Sequence, residues 1–213
     1  MANRGSKIII LFLVASALIF AFIPPEEQLG SWIRLIILHG ILSLTGLYTI
    51  YAAGILGVLY LFTKQKSVGL WSREIGLNSV LLWFVGTVLS LISMQVAWGG
   101  LLWNEPHTIT ALTMVVLGAG KEYLARSGGG KLRSFALANA GYAAAVLAIR
   151  QAMATGMHPD NPIGTSESLA IRLLPLLFLG ITLAAMMELT RWRLKQAANG
   201  AVIKGGHGNE DNS

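Results

Sequence analysis

Six apolar stretches, roughly 8–24, 34–62, 76–98, 107–125, 133–155 and 169–190, follow one another along the chain, separated by groups of charged, glycine and proline residues. Each is long enough to cross a hydrocarbon layer of about 30 Å, which takes roughly 17–25 helical residues. The pattern predicts an all-α polytopic membrane protein of six transmembrane helices, with no internal repeat and no separate soluble domain. The fourth stretch is the most polar, since it holds Lys121 and Glu122, but both fall at its end, where a lysine stem can snorkel to the interface. The first, preceded by Arg4 and Lys7, also has the make-up of a signal peptide; Pro24-Pro25 follows it in place of an Ala-x-Ala-like cleavage site, which favours a retained helix.

Composition agrees with the pattern. Charged residues make up 12% of the 213 and hydrophobic residues 54%, far too apolar a balance for one water-soluble core of this length. The net charge of +6 would suggest nucleic acid in a soluble protein; here the basic residues sit between apolar runs and report topology instead, so no nucleic-acid partner is expected. Counting Lys and Arg in alternate loops gives one side Arg4, Lys7, Lys64, Lys66, Arg73, Lys121, Arg126, Lys131, Arg133, Arg191, Arg193, Lys195 and Lys204, and the other only Arg34, Arg150 and Arg172. That asymmetry predicts both termini in the cytoplasm, with 1–193 forming the membrane domain and 194–213 a disordered tail.

The chain has no cysteine, which excludes disulfides, thiolate metal sites, iron–sulfur clusters and covalent haem attachment through C-x-x-C-H. Chemistry is left to His, Trp, Arg and carboxylates. Three of the four histidines (His39, His107, His158) and three of the six tryptophans (Trp32, Trp98, Trp103) fall on the side with few cations, so a site is expected there.

His39 stands about one and a half turns into the second segment. Helical steps from it select Ser43, Gly46, Thr49, Ala53 and Gly57, a small and polar stripe that should face protein rather than lipid. Such a histidine either hydrogen-bonds a neighbouring helix or ligates a metal or haem. Trp98-Gly99-Gly100-Leu101-Leu102-Trp103-Asn104-Glu105-Pro106-His107 makes a short, stiff loop before the fourth segment. Its indoles are either an interfacial belt or a platform for a large flat ligand, with glycines allowing close approach. Glu105 reads as an ordinary loop carboxylate. His158, in Met157-His158-Pro159, is the second outer imidazole that a bundle could bring to a shared metal, and Arg34, Arg150 and Arg172 are either interfacial anchors or partners for acidic groups. In the last segment Glu188 and Arg191 have the spacing of a simple i,i+3 pair, and no other buried charge is expected in the helices.

In these blocks the chain resembles the cytochrome c assembly family of haem-handling membrane proteins, most nearly its six-helix CcmC type. Trp98-Gly99 matches the start of the family's outer tryptophan-rich motif, Trp-Gly-x-x-Trp-x-Trp-Asp, and Glu105-Pro106-His107 lies on its Asp-Pro-basic ending. Leu102 and Asn104 occupy the inner tryptophan positions, with Trp103 displaced by one. Arg34-Leu-Ile-Ile-Leu-His39 is similar to the run ending in the first axial histidine, and Met157-His158-Pro159 to the loop carrying the second.

The resemblance, spanning about Arg34 to Arg193, implies non-covalent haem b at the outer face of a bacterial inner membrane. It also implies His39 and His158 as axial ligands, Trp98, Gly99 and Trp103 against the porphyrin, and Arg34 or Arg172 near the propionates. It further implies delivery to a haem chaperone of the CcmE type, beside ATP-binding cassette subunits and a small single-helix subunit. The chain has no phosphate-binding Gly-x-x-x-x-Gly-Lys-Ser/Thr motif, so ATP hydrolysis would belong to a partner and the chain itself is not expected to be an enzyme. Two rivals follow from the same residues: a b-type membrane cytochrome, or a regulatory or assembly protein of the same fold that has lost stable haem binding.

Overall fold

The computed structural model describes residues 4–27, 29–152 and 167–206. Six helices follow in chain order: α1 (Arg4–Phe22), α2 (Ile33–Thr63), α3 (Lys66–Trp98), α4 (Pro106–Ser127), α5 (Leu132–Ala152) and α6 (Leu169–Gly206). Among the described residues the only β-type pairing is one antiparallel bridge between Glu26 and Gly30, which closes the α1–α2 connection. Four helices are long and apolar enough to cross a membrane: α2, α3, α5 and the Leu169–Gln196 part of α6. Leu11, Phe22, Phe62, Val116 and Leu124 are largely exposed, a coat of apolar side chains that suits lipid and not water.

Helix–helix packing follows from where the small residues fall. α2 is capped by Lys64, whose N–H returns to the Tyr60 carbonyl at 2.9 Å and whose left-handed backbone (φ 56°) turns the chain, so that only Lys64 and Gln65 separate α2 from α3. The two helices fold back in one antiparallel register: Ser43 lies against Gly86, Trp83 against Gly46 and Tyr60 against Gly69. On the adjoining face α2 meets α5 so closely that a Cβ on Gly57 would stand 2.6 Å from the Ala136 carbonyl oxygen, a contact only glycine allows. The small stripe of α2 thus faces α3 and α5, as its spacing predicts.

Between these helices Leu47, Ile50, Trp83, Met114, Tyr142 and Val146 form one core. α6 packs on α1, α2 and α3, and there Ile23, Ile33, Ile37, Ile41 and Phe178 form a second. The α2–α3 turn, the α4–α5 turn and the C-terminal part of α6 therefore share one end of the bundle, which carries Lys64, Lys66, Lys131, Arg133 and Lys195. Trp98, Trp103 and the start of α4 lie at the opposite, aromatic end.

Three local expectations change. α3 begins at Lys66, not near 76, because Arg73 and Glu74 do not bound the helix: Glu74 is buried and meets Arg193 of α6. On α5, Ala136, Ala140, Ala144 and Ala148 stand four residues apart, a spacing that suggests a close-packing helix, but they do not share one buried face. Four residues advance about 400° around a helix of 3.6 per turn, so the stripe drifts by about 40° at each step. Ala136 is fully buried while Ala144 and Ala148 are exposed, and Ala143 meets Gly54 instead. The helix α6 carries on past Lys195 to Gly206, through the start of the segment expected to be a disordered tail.

Candidate functional site

The aromatic end gathers most of the residues that the sequence singles out. α3 stops at Gly99, where φ is 71° and the N–H returns to the Gln95 carbonyl at 3.1 Å. That left-handed conformation suits glycine, and it turns the chain away directly after Trp98. A Cβ at Gly99 or Gly100 would touch nothing, so space is open over this corner. Trp98 is 42% exposed and Trp103 56%, each offering a flat apolar face.

The α2–α3 register sets His39 level with about Ser90 and Arg34 level with about Gln95. His39 therefore sits some eight residues, or roughly 12 Å of helix rise, below Trp98. It continues the stripe of Ser43 and Gly46 and is half-buried. Arg34 donates through Nε to the Ile23 carbonyl at 2.8 Å, tying the end of α1 to α2; that bond engages only one of the nitrogens in its guanidinium fork. Arg172, exposed in the first turn of α6, comes level with about Val96 when the α3–α6 register is continued from Glu74–Arg193 and Asn78–Thr190. Arg34, Trp98, Gly99 and Arg172 thus come to similar heights at one end of the bundle, the end that also carries the loop with Trp103, and His39 lies deeper along α2. His158 lies outside the described residues.

Glu105 is no ordinary loop carboxylate. It is 4% exposed and caps α4: its Oε2 accepts the Thr108 N–H at 2.8 Å, with Pro106 in the first turn. Its Oε1 lies 2.9 Å from Nδ1 of His107.

The residues present fit a porphyrin in part. Open space over two glycines, two half-exposed indoles, two guanidinium groups and one half-buried imidazole suit a large, flat, apolar, dianionic ligand. Among the described residues no group of three or more His, Asp or Glu could hold a bare metal ion; haem iron asks for fewer protein ligands. An apolar cavity of about 300 Å³ lies elsewhere, between α2, α3 and α6, lined by Tyr48, Ala52, Ile75, Met186, Met187 and neighbours. None of the residues assigned to a porphyrin lines it.

The opposite end holds a polar network that the sequence reading did not foresee. Lys121 is 6% exposed and does not snorkel. Its ammonium donates to the Gly76 carbonyl at 3.0 Å, to Glu122 Oε1 at 2.8 Å and to Asn139 Oδ1 at 2.6 Å. Asn139 passes the connection on, donating to the Ser72 carbonyl at 2.8 Å and hydroxyl at 3.1 Å, and the Ser72 hydroxyl donates to Ala53 O at 2.9 Å.

A second branch joins α3 to α6. Arg193 donates to Asn78 Oδ1 at 2.6 Å and pairs with Glu74 at 3.3 Å, while Asn78 donates to Thr190 at 3.1 Å. Buried charge beyond Glu188 is therefore present, in Glu74, Lys121 and Glu122. An ammonium has three protons, and all three are placed. A network so saturated holds helices together and leaves Lys121 no donor for a ligand. Glu188 and Arg191 form the expected pair at 3.4 Å.

Comparison with protein-family models and with curated proteins gave no match.

Proposed function

We propose that this chain is a haem-handling protein of cytochrome c maturation, embedded in a bacterial inner membrane by six spans with both termini in the cytoplasm. The observation that supports the reading is that Arg34, Trp98, Gly99, Trp103 and Arg172 come to one end of the bundle, the end poor in cations, with His39 deeper on the inward stripe of α2. The basic end, by contrast, is filled by a saturated structural network.

On this reading haem b, when bound, would supply an iron that imidazole nitrogen can ligate. His39 and His158 are the residues that would hold it. Trp98 and Trp103 would stack on a flat apolar ligand and exclude water, and Gly99 would leave space beside it. Arg34 and Arg172 match carboxylates through the guanidinium fork. Arg34 does so from a fixed position, because its Nε is anchored to the backbone at the end of α1. The chain holds and presents its cargo without a catalytic step of its own. A haem chaperone of the CcmE type receives the cargo, while ATP-binding cassette subunits and a small single-helix subunit complete the assembly.

Purification in mild detergent from haem-sufficient cells tests this. The protein should carry extractable haem b with a two-imidazole spectrum, and His39→Ala should lose most of it. A colourless wild type that also takes up no added haem would favour the second reading, an assembly protein of the same fold. The replacement of the motif's inner tryptophans by Leu102 and Asn104 speaks for that alternative.

A further inference from the structure

The basic end of the bundle holds more cations than its buried carboxylates can match. Glu74 is shared by Arg73 at 3.5 Å and Arg193 at 3.3 Å, and Glu122 by Lys121 at 2.8 Å and Arg126 at 3.3 Å. Lys121 and Arg193 are also built into the helix contacts, through Gly76 and Asn139 for one and Asn78 for the other. The excess positive charge therefore falls on Arg73 and Arg126, at the edge of the network, whose side chains are 39% and 54% exposed.

These two arginines meet at one ring. The guanidinium of Arg73 on α3 lies 5.1 Å from the centroid of Phe135, near the start of α5, and that of Arg126, at the end of α4, lies 5.9 Å from it. Phe135 is buried, so it is a fixed wall. Attraction to a ring holds a guanidinium in place without using up its N–H groups. Arg126 donates to Glu122, and among the described residues Arg73 makes no hydrogen bond beyond its 3.5 Å ion pair. A guanidinium carries five N–H donors, so most of both forks is left for an acceptor from outside the chain.

The surroundings point to the kind of acceptor. Tyr123 and Leu124, just before Arg126 on α4, are 72% and 66% exposed, part of the coat that suits lipid. Lys66, Lys131 and Arg133 lie nearby at the same end of the bundle. The two arginines thus stand where the apolar coat gives way to the charged end, the level of a lipid phosphate.

We propose that Arg73 and Arg126, set against Phe135 where α3, α4 and α5 converge, bind the phosphate of an anionic phospholipid. The phosphodiester brings one negative charge and two unesterified oxygens, which the guanidinium forks match. Basic pockets between membrane helices take anionic headgroups in this way. Free phosphate shares the charge and the oxygens, but only a lipid also covers Tyr123 and Leu124 with its acyl chains. The site is independent of the haem-handling reading.

Full-length protein in a neutral detergent, titrated with phosphatidylglycerol and followed by native mass spectrometry, tests the site. Arg73→Gln and Arg126→Gln should each weaken binding about fivefold and the double variant about thirtyfold, the scale of one and two basic residues at a membrane surface. Arg191→Gln/Lys195→Gln, which removes the same charge on α6, should change it less than about twofold. Arg73→Lys/Arg126→Lys keeps both charges for Glu74 and Glu122, so it guards against misfolding; loss of the forks should still weaken binding several-fold. Phosphatidylcholine should not distinguish wild type from any variant. Equal losses in the two glutamine pairs, or undiminished affinity in the lysine pair, would overturn the site. Displacement of the lipid by millimolar inorganic phosphate, but not by sodium chloride at equal ionic strength, would overturn the lipid as its occupant.

Discussion

The Lys121 ammonium on α4 stands 2.6 Å from the amide oxygen of Asn139 on α5, and this contact is the middle link of a polar chain running from α4 through α5 and α3 to the backbone of α2. Four helices are fixed in register by side chains that each have a partner. In hydrocarbon such bonds contribute modestly one by one, about 0.6 kcal/mol on average, whereas a buried charge left without its partner costs far more.

Asn139→Leu should therefore be the most damaging single change at this end. It leaves one proton of the buried Lys121 ammonium without an acceptor and removes the Asn139 bonds to Ser72, for a loss of about 3 kcal/mol. Adding Lys121→Met should recover part of that loss by removing the charge that needs solvating. Thermal unfolding in detergent, followed by circular dichroism, measures both; an unchanged midpoint in Asn139→Leu would mean that the network does not hold the bundle.

Two glycines should respond to alanine with opposite signs. Gly57→Ala pushes a methyl against the Ala136 carbonyl oxygen, at 2.6 Å before relaxation, and overpacking of this kind costs about 1–3 kcal/mol. Gly141 on α5 has nothing within 4 Å of its would-be Cβ. Gly141→Ala should stabilise by up to about 1 kcal/mol through helix propensity. The same unfolding assay separates them.

Orientation can be read cleanly because the chain contains no cysteine. Asn104→Cys, in the α3–α4 loop, should react with a membrane-impermeant maleimide on intact spheroplasts. Gly129→Cys, in the α4–α5 turn, should react only after permeabilisation. The reverse pattern would invert the assignment of both termini to the cytoplasm.

Stacking should be visible in affinity. Trp98→Leu and Trp103→Leu should each weaken haem binding by about three- to tenfold, the usual scale of an aromatic contact beyond its area. Trp71→Leu, near the basic end of α3, should leave it unchanged. Equal losses in all three proteins would point to general damage to the fold instead of a stacking surface.

Helix existence was legible from sequence because apolar runs long enough for lipid leave few alternatives. The boundaries of α2 and α4 come out within one or two residues of the expected ones. What failed was the use of charge as punctuation. Glu74 and Lys121 looked like helix ends, yet both are buried because their partners come from other helices, Arg193 for one and Gly76 and Asn139 for the other. Bonds that join residues 18, 45, 67 or 112 positions apart have no local signature. Two asparagines within apolar stretches, Asn78 and Asn139, were the available hint, since a lone amide in lipid must find a partner. At the aromatic end the clustering of tryptophans and histidines was legible, while the burial of Glu105 was not: a carboxylate three positions before Thr108 reads equally as a loop residue or as a cap.

The saturation of Lys121 also bears on how the chain is made. The fourth helix is not among those apolar enough to cross a membrane unaided, and a lysine placed mid-helix costs about 2.5–3.5 kcal/mol to insert alone. Its charge is neutralised by its neighbour Glu122, but the remaining acceptors sit on the third and fifth helices. If all six helices span, the fourth depends on its neighbours to lie in lipid. The Lys121 ammonium gains its full set of acceptors only when the third and fifth helices both stand beside the fourth.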